Sequence, residues 1–231
     1  MKRLLVISAC SGKKNAPPHA PMPSPKEIET LGIRIVNDER FSKFKKKAID
    51  MYAGLEHLKI SQSMKKIWQT YGYNFAELRI ISAAFGMLKW NDEIIPYNVK
   101  FNEKCASYNR TLGIKLSIPH DFDCIVTEYD IVFVILGIPY LYSLNLPRKL
   151  PLSPTIVFFS SEKYTNLIPH QKNIFHIPAG SSLAKKTGKS PRTIKGILFE
   201  RIAHEIIKEK NFLDLITSKP TAILTLLEDF L

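Results

Sequence analysis

Residues 4–10, Leu4-Leu5-Val6-Ile7-Ser8-Ala9-Cys10, run directly into Ser11-Gly12-Lys13-Lys14. The apolar part of this run shows no polar alternation, as in a strand covered on both faces within a parallel sheet. Counting residues 4–8 as the first, further runs of this kind stand at 78–82, 131–136, 155–160 and 173–177. Amphipathic stretches separate them. Phe41, Phe44, Ala48, Ile49 and Tyr52 share one helical face, with Lys43, Lys45, Lys46 and Lys47 largely opposite. Leu55, Leu58, Met64, Ile67, Trp68 and Tyr71 form the next stripe, which Gly72 ends. Strands alternating with helices give an α/β fold, with a mostly parallel central sheet flanked by helices and a C-terminal helical segment.

The chain has 231 residues, 45% of them hydrophobic, which suits one α/β domain over 1–231 with a buried core. Residues 16–25 carry five prolines, Pro17, Pro18, Pro21, Pro23 and Pro25, and read as an extended surface loop or lid inserted after the first strand. Ser190 and Pro191 read as the N-cap and first-turn proline of a long helix, with Ile194, Ile197, Leu198, Ile202 and Ile206 on its apolar face. One more helix is expected after Pro220, docked through Leu224, Leu227 and Phe230, so that 190–231 forms helices packed on the body.

Met1-Lys2-Arg3 before the first run imitates a lipoprotein signal ending on Cys10. Its apolar stretch of about six residues falls short of the roughly 7–15 of a signal core, so a strand is the better reading. No apolar run approaches the ~18 residues of a membrane span, and no membrane partner is expected. Cys10, Cys105 and Cys124 show no metal-type pairing, and an odd number argues against a secreted disulfide framework. A cytoplasmic protein is expected, with no metal and no cofactor indicated.

The net charge is +12. Residues 40–66 contribute +6 and residues 183–210 contribute +5, a clustering that suits a polyanionic partner. In open α/β sheets, ligands bind beyond the carboxyl ends of the strands, and four such exits carry small, polar or basic residues. The first holds Ser8, Cys10, Ser11, Gly12, Lys13 and Lys14, a turn whose N–H groups could face an anion. It lacks Walker A spacing, and an ordinary solvated turn is the bland alternative. Cys10 is either a nucleophile or a plain small residue at a strand end. The second exit holds Ser82 and Gly86 and leads to Asp92 and Tyr97, as ligand groups or as a packed loop. The third holds Gly137, which suits close ligand approach or a tight turn equally. The fourth gathers Lys185, Lys186, Lys189, Arg192 and Lys195 at the opening of the long helix, where cations oppose the helix dipole unless an anion sits there. Ala184, Gly188 and Ile194 in the same stretch imitate a helix-turn-helix, but residues 173–177 upstream read as a strand.

Assembled, these residues resemble the YaaA peroxide-stress-resistance family. The resemblance is carried by Ile7-Ser8-Ala9-Cys10-Ser11-Gly12-Lys13, by Tyr52-Ala53-Gly54-Leu55, and by residues 78–88 followed by Asp92, Ile95, Pro96 and Tyr97. A basic block, Ala184-Lys185-Lys186 with Lys195-Gly196-Ile197-Leu198, completes it. The blocks keep the family's order from residue 4 to about 206. The 16–25 insertion, the Cys10-Ser11-Gly12 loop and the extra residues between Lys186 and Lys195 depart from it. The resemblance implies a compact α/β fold with a basic cleft, in a cytoplasmic DNA-binding protein that limits oxidative damage. The helix-hairpin-helix associated with that family has no GxG counterpart here.

Two functions are therefore expected to compete. One is sequence-independent DNA binding, with phosphate contacts from Lys13, Lys14, Lys43, Lys45, Lys46, Lys47, Lys185, Lys186, Lys189, Arg192 and Lys195. The other is an enzyme acting on a nucleotide or nucleobase, free or within nucleic acid, in a pocket of strand-exit residues.

Overall fold

A computed structural model describes residues 2–102, 105–209 and 211–228. The strands are β1 (Leu4–Ala9), β2 (Lys46–Lys47), β3 (Ala76–Ser82), β4 (Gly86–Lys89), β5 (Glu93–Ile94), β6 (Ile131–Ile135), β7 (Thr155–Ser160) and β8 (Ile174–Pro178). The helices are α1 (Pro25–Leu31), α2 (Ala48–Met51), α3 (Leu55–Tyr71), α4 (Ala106–Lys115), α5 (Ile118–Val126), α6 (Ile138–Ser143), α7 (Ser181–Lys186), α8 (Ile194–Lys208), α9 (Phe212–Ser218) and α10 (Ala222–Glu228). Six strands form the main sheet in the order β4-β3-β1-β6-β7-β8, all parallel except the edge strand β4. The fold is α/β, as the five apolar runs require.

Those runs lack alternation because both faces of the sheet are covered. Leu4 and Val6 join one core with α3 and α8, while Leu5 and Ile7 join the other with α5 and α6, and none of the four is exposed to solvent. On the first face, α8 meets α3 closely: a Cβ at Gly196 would stand 3.0 Å from the Glu56 carbonyl oxygen, so only glycine fits without displacement. No helix among the described residues is long and apolar enough to cross a membrane.

Several elements differ from the pattern read in the sequence. The helix expected through Phe41 and Tyr52 is a 3-10 turn (Glu39–Phe44), the extended pair β2 and the short α2. β2 pairs with β5, and Ala48 and Ile49 donate to the carbonyls of Asp92 and Trp90. This ladder takes the backbone groups that a continuous helix needs. Phe41, Ala48, Ile49 and Tyr52 are buried all the same. In α3 the inward face runs through His57, Ile60, Met64, Ile67 and Trp68, leaving Leu55 70% exposed at the helix mouth and Leu58 exposed as well.

α8 begins at Ile194 rather than at Pro191, because the Ser190 side chain caps a preceding turn by accepting the Arg192 N–H. The C-terminal segment holds two short helices, α9 and α10, docked through Phe212, Leu213, Ile216 and Ile223, with Leu224 outward. Phe230 and the Leu227 side chain lie outside the described residues. Residues 16–24 form no helix or strand, and Pro25 sits in the first turn of α1 behind a capping box of Ser24 and Glu27.

Candidate functional site

β1 pairs with β3 on one side and β6 on the other, and the chain crosses over β1 between those two strands. This is the topological switch point, where a crevice opens beyond the carboxyl ends of an α/β sheet. Cys10 follows β1, and its N–H donates to the Ile81 carbonyl at 3.0 Å, extending the pairing with β3. Across the crevice, Tyr140 of α6 donates its hydroxyl to the Cys10 carbonyl at 2.9 Å, and its oxygen lies 3.2 Å from the Cys10 sulfur.

The loop after Cys10 is shaped by a partner about forty residues later. Lys14 bridges Tyr52 in antiparallel fashion, Ala53 donates to the Lys13 carbonyl, and Asn15 donates to the Met51 carbonyl. Ser11 Oγ donates to the Lys13 carbonyl and accepts the Gly54 N–H at 3.0 Å. A Cβ on Gly54 would sit 2.6 Å from the Ser11 Cβ, closer than atoms can pack. The Tyr-x-Gly-Leu element is thus the second wall of the Ser-Lys loop.

Gly54 also starts α3, a helix of 17 residues with no side-chain cap. Its first turn, the 9–13 loop, Ile60 and Arg192 line a cleft of about 400 Å³. Behind its inner wall lies a chain of hydroxyls. Ser82 Oγ is 2.9 Å from the Tyr97 oxygen, which is 2.8 Å from the Tyr52 oxygen. The Lys14 ammonium rests 4.1 Å from the Tyr97 ring centroid and donates to the Ser11 carbonyl at 2.9 Å.

Burial dominates the electrostatics. It lifts the phenol pKa values of Tyr52, Tyr97 and Tyr140 above the ordinary range, and the neighbouring Cys10 lifts them further, so all three remain hydrogen-bond donors. Burial lowers the Lys14 pKa, with Cys10 acting in the opposite sense. Glu56 is raised by burial against the opposing pull of Lys195, 2.9 Å away. His57 is lowered by burial and stays neutral. Its Nε2–H donates to the Ile49 carbonyl, which leaves Nδ1 a buried acceptor with no protein partner.

The four strand exits contribute unequally. Cys10, Ser11, Gly12 and Lys13 line the cleft; Ser8 is fully buried beneath it, its Oγ unpartnered. Ser82 and Tyr97 stand behind the wall as buried core groups. The remaining pocket candidates lie elsewhere. Asp92 closes its own turn by accepting the Lys89 N–H, and the Ala48 N–H binds its carbonyl. Gly86 serves the edge hairpin: its φ is +74° and a Cβ would meet the Leu116 carbonyl at 2.8 Å. Gly137 precedes α6 with no close neighbour to exclude a side chain. Lys185 is exposed on α7 and does not line the cleft. Glu56, His57 and Tyr140 were missed by sequence reasoning, since each reads as an ordinary helix residue. Only the Tyr-x-Gly-Leu element hinted that the start of α3 mattered.

The cations also divide. Lys195 is committed to Glu56, with only 12% of its side chain exposed, and is not a phosphate contact. Lys14 lies against the tyrosine rings, Lys46 donates to the Asn15 carbonyl, and Lys47 lies over Trp90. Lys13, Lys43, Lys45, Lys185, Lys186, Lys189 and Arg192 form no ion pair among the described residues. The helix-turn-helix imitation fails at α8, whose inward face is buried and whose Arg192 and Thr193 precede the helix. The chain matches no protein-family model and no curated protein.

Proposed function

We propose that the chain binds a nucleotide in the switch-point cleft, as a cytoplasmic enzyme acting on a nucleotide or nucleobase, free or within a nucleic acid. The observation that carries this reading is the uncapped start of α3, which opens on the cleft beside Lys13 and Arg192. First-turn N–H groups without a side-chain cap, at the positive end of a helix and flanked by two cations, favour a phosphate. The buried Nδ1 of His57 adds an acceptor for a base or sugar donor. Thermal melts with inorganic phosphate, AMP and GMP test the reading. Stabilisation should reach about 2.7 kcal/mol at a hundredfold excess over Kd, and fall with Lys13→Ala and Arg192→Ala. No shift with either nucleotide at millimolar concentration overturns it.

DNA binding of the YaaA kind, in a stress response, is favoured by a separate observation. The blocks that carry the resemblance are hydrogen-bonded to one another although they are far apart in sequence, Cys10 to Ile81, Ser11 to Gly54, Tyr52 to Tyr97 and Tyr97 to Ser82. The exposed lysines at 43, 185, 186 and 189 supply its phosphate contacts. Filter binding to duplex DNA at low salt tests it; loss of affinity on reversing Lys185, Lys186 and Lys189 supports it, and no affinity below about 10⁻⁴ M removes it.

A further inference from the structure

Both tryptophans of the chain, Trp68 and Trp90, stand in one aromatic cluster at the end of α3 remote from the cleft. The 17 residues of α3 span about 25 Å between the two places. Trp68, in the last turn of α3, is buried, and its indole N–H donates to the Ala76 carbonyl at 2.7 Å. Trp90 follows the edge strand β4, with its ring centroid 4.8 Å from that of Trp68. Tyr73 stacks on Trp90 at 5.2 Å, with 5° between the ring planes. Gly72 ends α3 with φ +80°, and Tyr73 after it is 63% exposed, whereas Phe75 is buried.

An exposed tyrosine held parallel to a tryptophan uses one face of its ring and leaves the other to solvent. Cations stand beside this pair. The Lys47 ammonium lies 5.7 Å from the Trp90 ring centroid, and Lys89, next to Trp90 in sequence, is exposed. Neither forms an ion pair among the described residues, although Glu93 stands opposite Lys47 in the β2–β5 ladder. Residues 40–49 hold four lysines and one arginine and no acidic residue. Of the acids nearby, Asp50 is paired with Lys65 at 3.0 Å, and Asp92 closes its own turn. An open ring face beside unpaired ammonium groups fits a chain that carries flat rings and regularly spaced negative charge. That is the chemistry of an unpaired nucleic-acid strand, whose bases stack and whose phosphates meet lysines. A duplex has its base faces already covered by one another.

We propose that Tyr73 and Trp90 form a stacking platform for a base of a single-stranded nucleic acid, with Lys47 and Lys89 on the flanking phosphates. Tyr73 offers its open face to the base, and Trp90 holds that ring in place from behind. The platform does not rest on nucleotide binding in the cleft. It adjoins β4, the edge of the sheet opposite β8, and so stands apart from Lys185, Lys186 and Lys189 as well.

Anisotropy of a labelled oligothymidylate at low salt tests the proposal, with tryptophan emission as a local probe because both tryptophans lie in the cluster. Binding should saturate and quench that emission. Tyr73→Ala should weaken it about tenfold, the loss of one base–aromatic stack, while Tyr73→Phe, which keeps the ring, should retain it. Lys47→Ala should reduce the salt slope by about 0.7, the value for one phosphate contact on a single strand. No binding at micromolar concentration, emission unchanged at saturation, or full affinity in Tyr73→Ala overturns the proposal. Equal quenching by heparin, a polyanion without bases, overturns it too. Affinity that falls on reversing Lys185, Lys186 and Lys189, and not with Tyr73→Ala, moves the strand to the lysines after β8 and removes the platform. Thermal melts with AMP and GMP report on the cleft separately, so either reading can fail while the other stands.

Discussion

Glu56 Oε2 lies 2.9 Å from the Lys195 ammonium, joining the first turn of α3 to the first turn of α8 with 20% and 12% of the two side chains exposed. The pair makes a structural strut out of a lysine that belongs, by position in the sequence, to a basic cluster. Removing one partner of such a pair strands the other charge. Lys195→Ala should therefore cost about 3 kcal/mol in urea unfolding, while leaving the salt dependence of any DNA binding unchanged. A drop in the salt slope would return Lys195 to the phosphate contacts.

Glu56 also has a pH signature. Its folded pKa is raised, so between the ordinary carboxyl value of 4.5 and the raised one the native state binds more protons than the unfolded chain. Stability from this group falls as pH rises through that window. Glu56→Gln should flatten the fall, as read from urea melts between pH 4.5 and pH 7.

His57 gives the opposite slope. Its folded pKa is lowered by burial, so the unfolded chain binds the extra proton first. The contribution of the neutral ring is complete above the ordinary value of 6.5 and is lost as pH falls below it toward the lowered folded value. His57→Gln, which cannot titrate, should remove this acid sensitivity; urea midpoints at pH 7.5, 6.5 and 5.5 measure it.

Gly54→Ala places a methyl group 2.6 Å from the Ser11 Cβ. Overpacking of this kind costs about 1–3 kcal/mol. The cost should fall in the double variant with Ser11→Gly, and nucleotide stabilisation should weaken with Gly54→Ala, because the clash displaces the loop that carries Lys13. Chemical denaturation of the four proteins in the cycle gives the coupling energy.

Tyr97→Phe deletes the middle of the hydroxyl chain and leaves Ser82 and Tyr52 without each other's support. An expected loss of about 1–3 kcal/mol follows from burying unsatisfied hydroxyls. Tyr97→Phe combined with Ser82→Ala should be less destabilising than the sum of the two, since the second change removes a group the first has already orphaned.

The main sheet could be read from local apolar patterning. Apolar runs without alternation require cover on both faces, and that physical demand holds wherever the runs sit, so five of the six strands of the main sheet and the α/β class were legible. The sequence also marked the Cys10–Lys13 turn, because a strand exit is a local feature. Local pattern stopped short at β4 and β2, which are short and stabilised by pairing with distant partners, and at the 41–52 stretch, where the ladder to β5 overrode a helical periodicity. Tertiary structure alone decided the site. The Lys13–Lys14 loop is defined by its pairing with Tyr52 and Ala53, the Cys10 sulfur by Tyr140, and the start of α3 by Arg192 and Lys195. Charge clustering along the chain identified the cations, but not which were free. An ammonium within 3 Å of a buried carboxylate is spent on packing two helices, and only the folded chain brings Glu56 to Lys195.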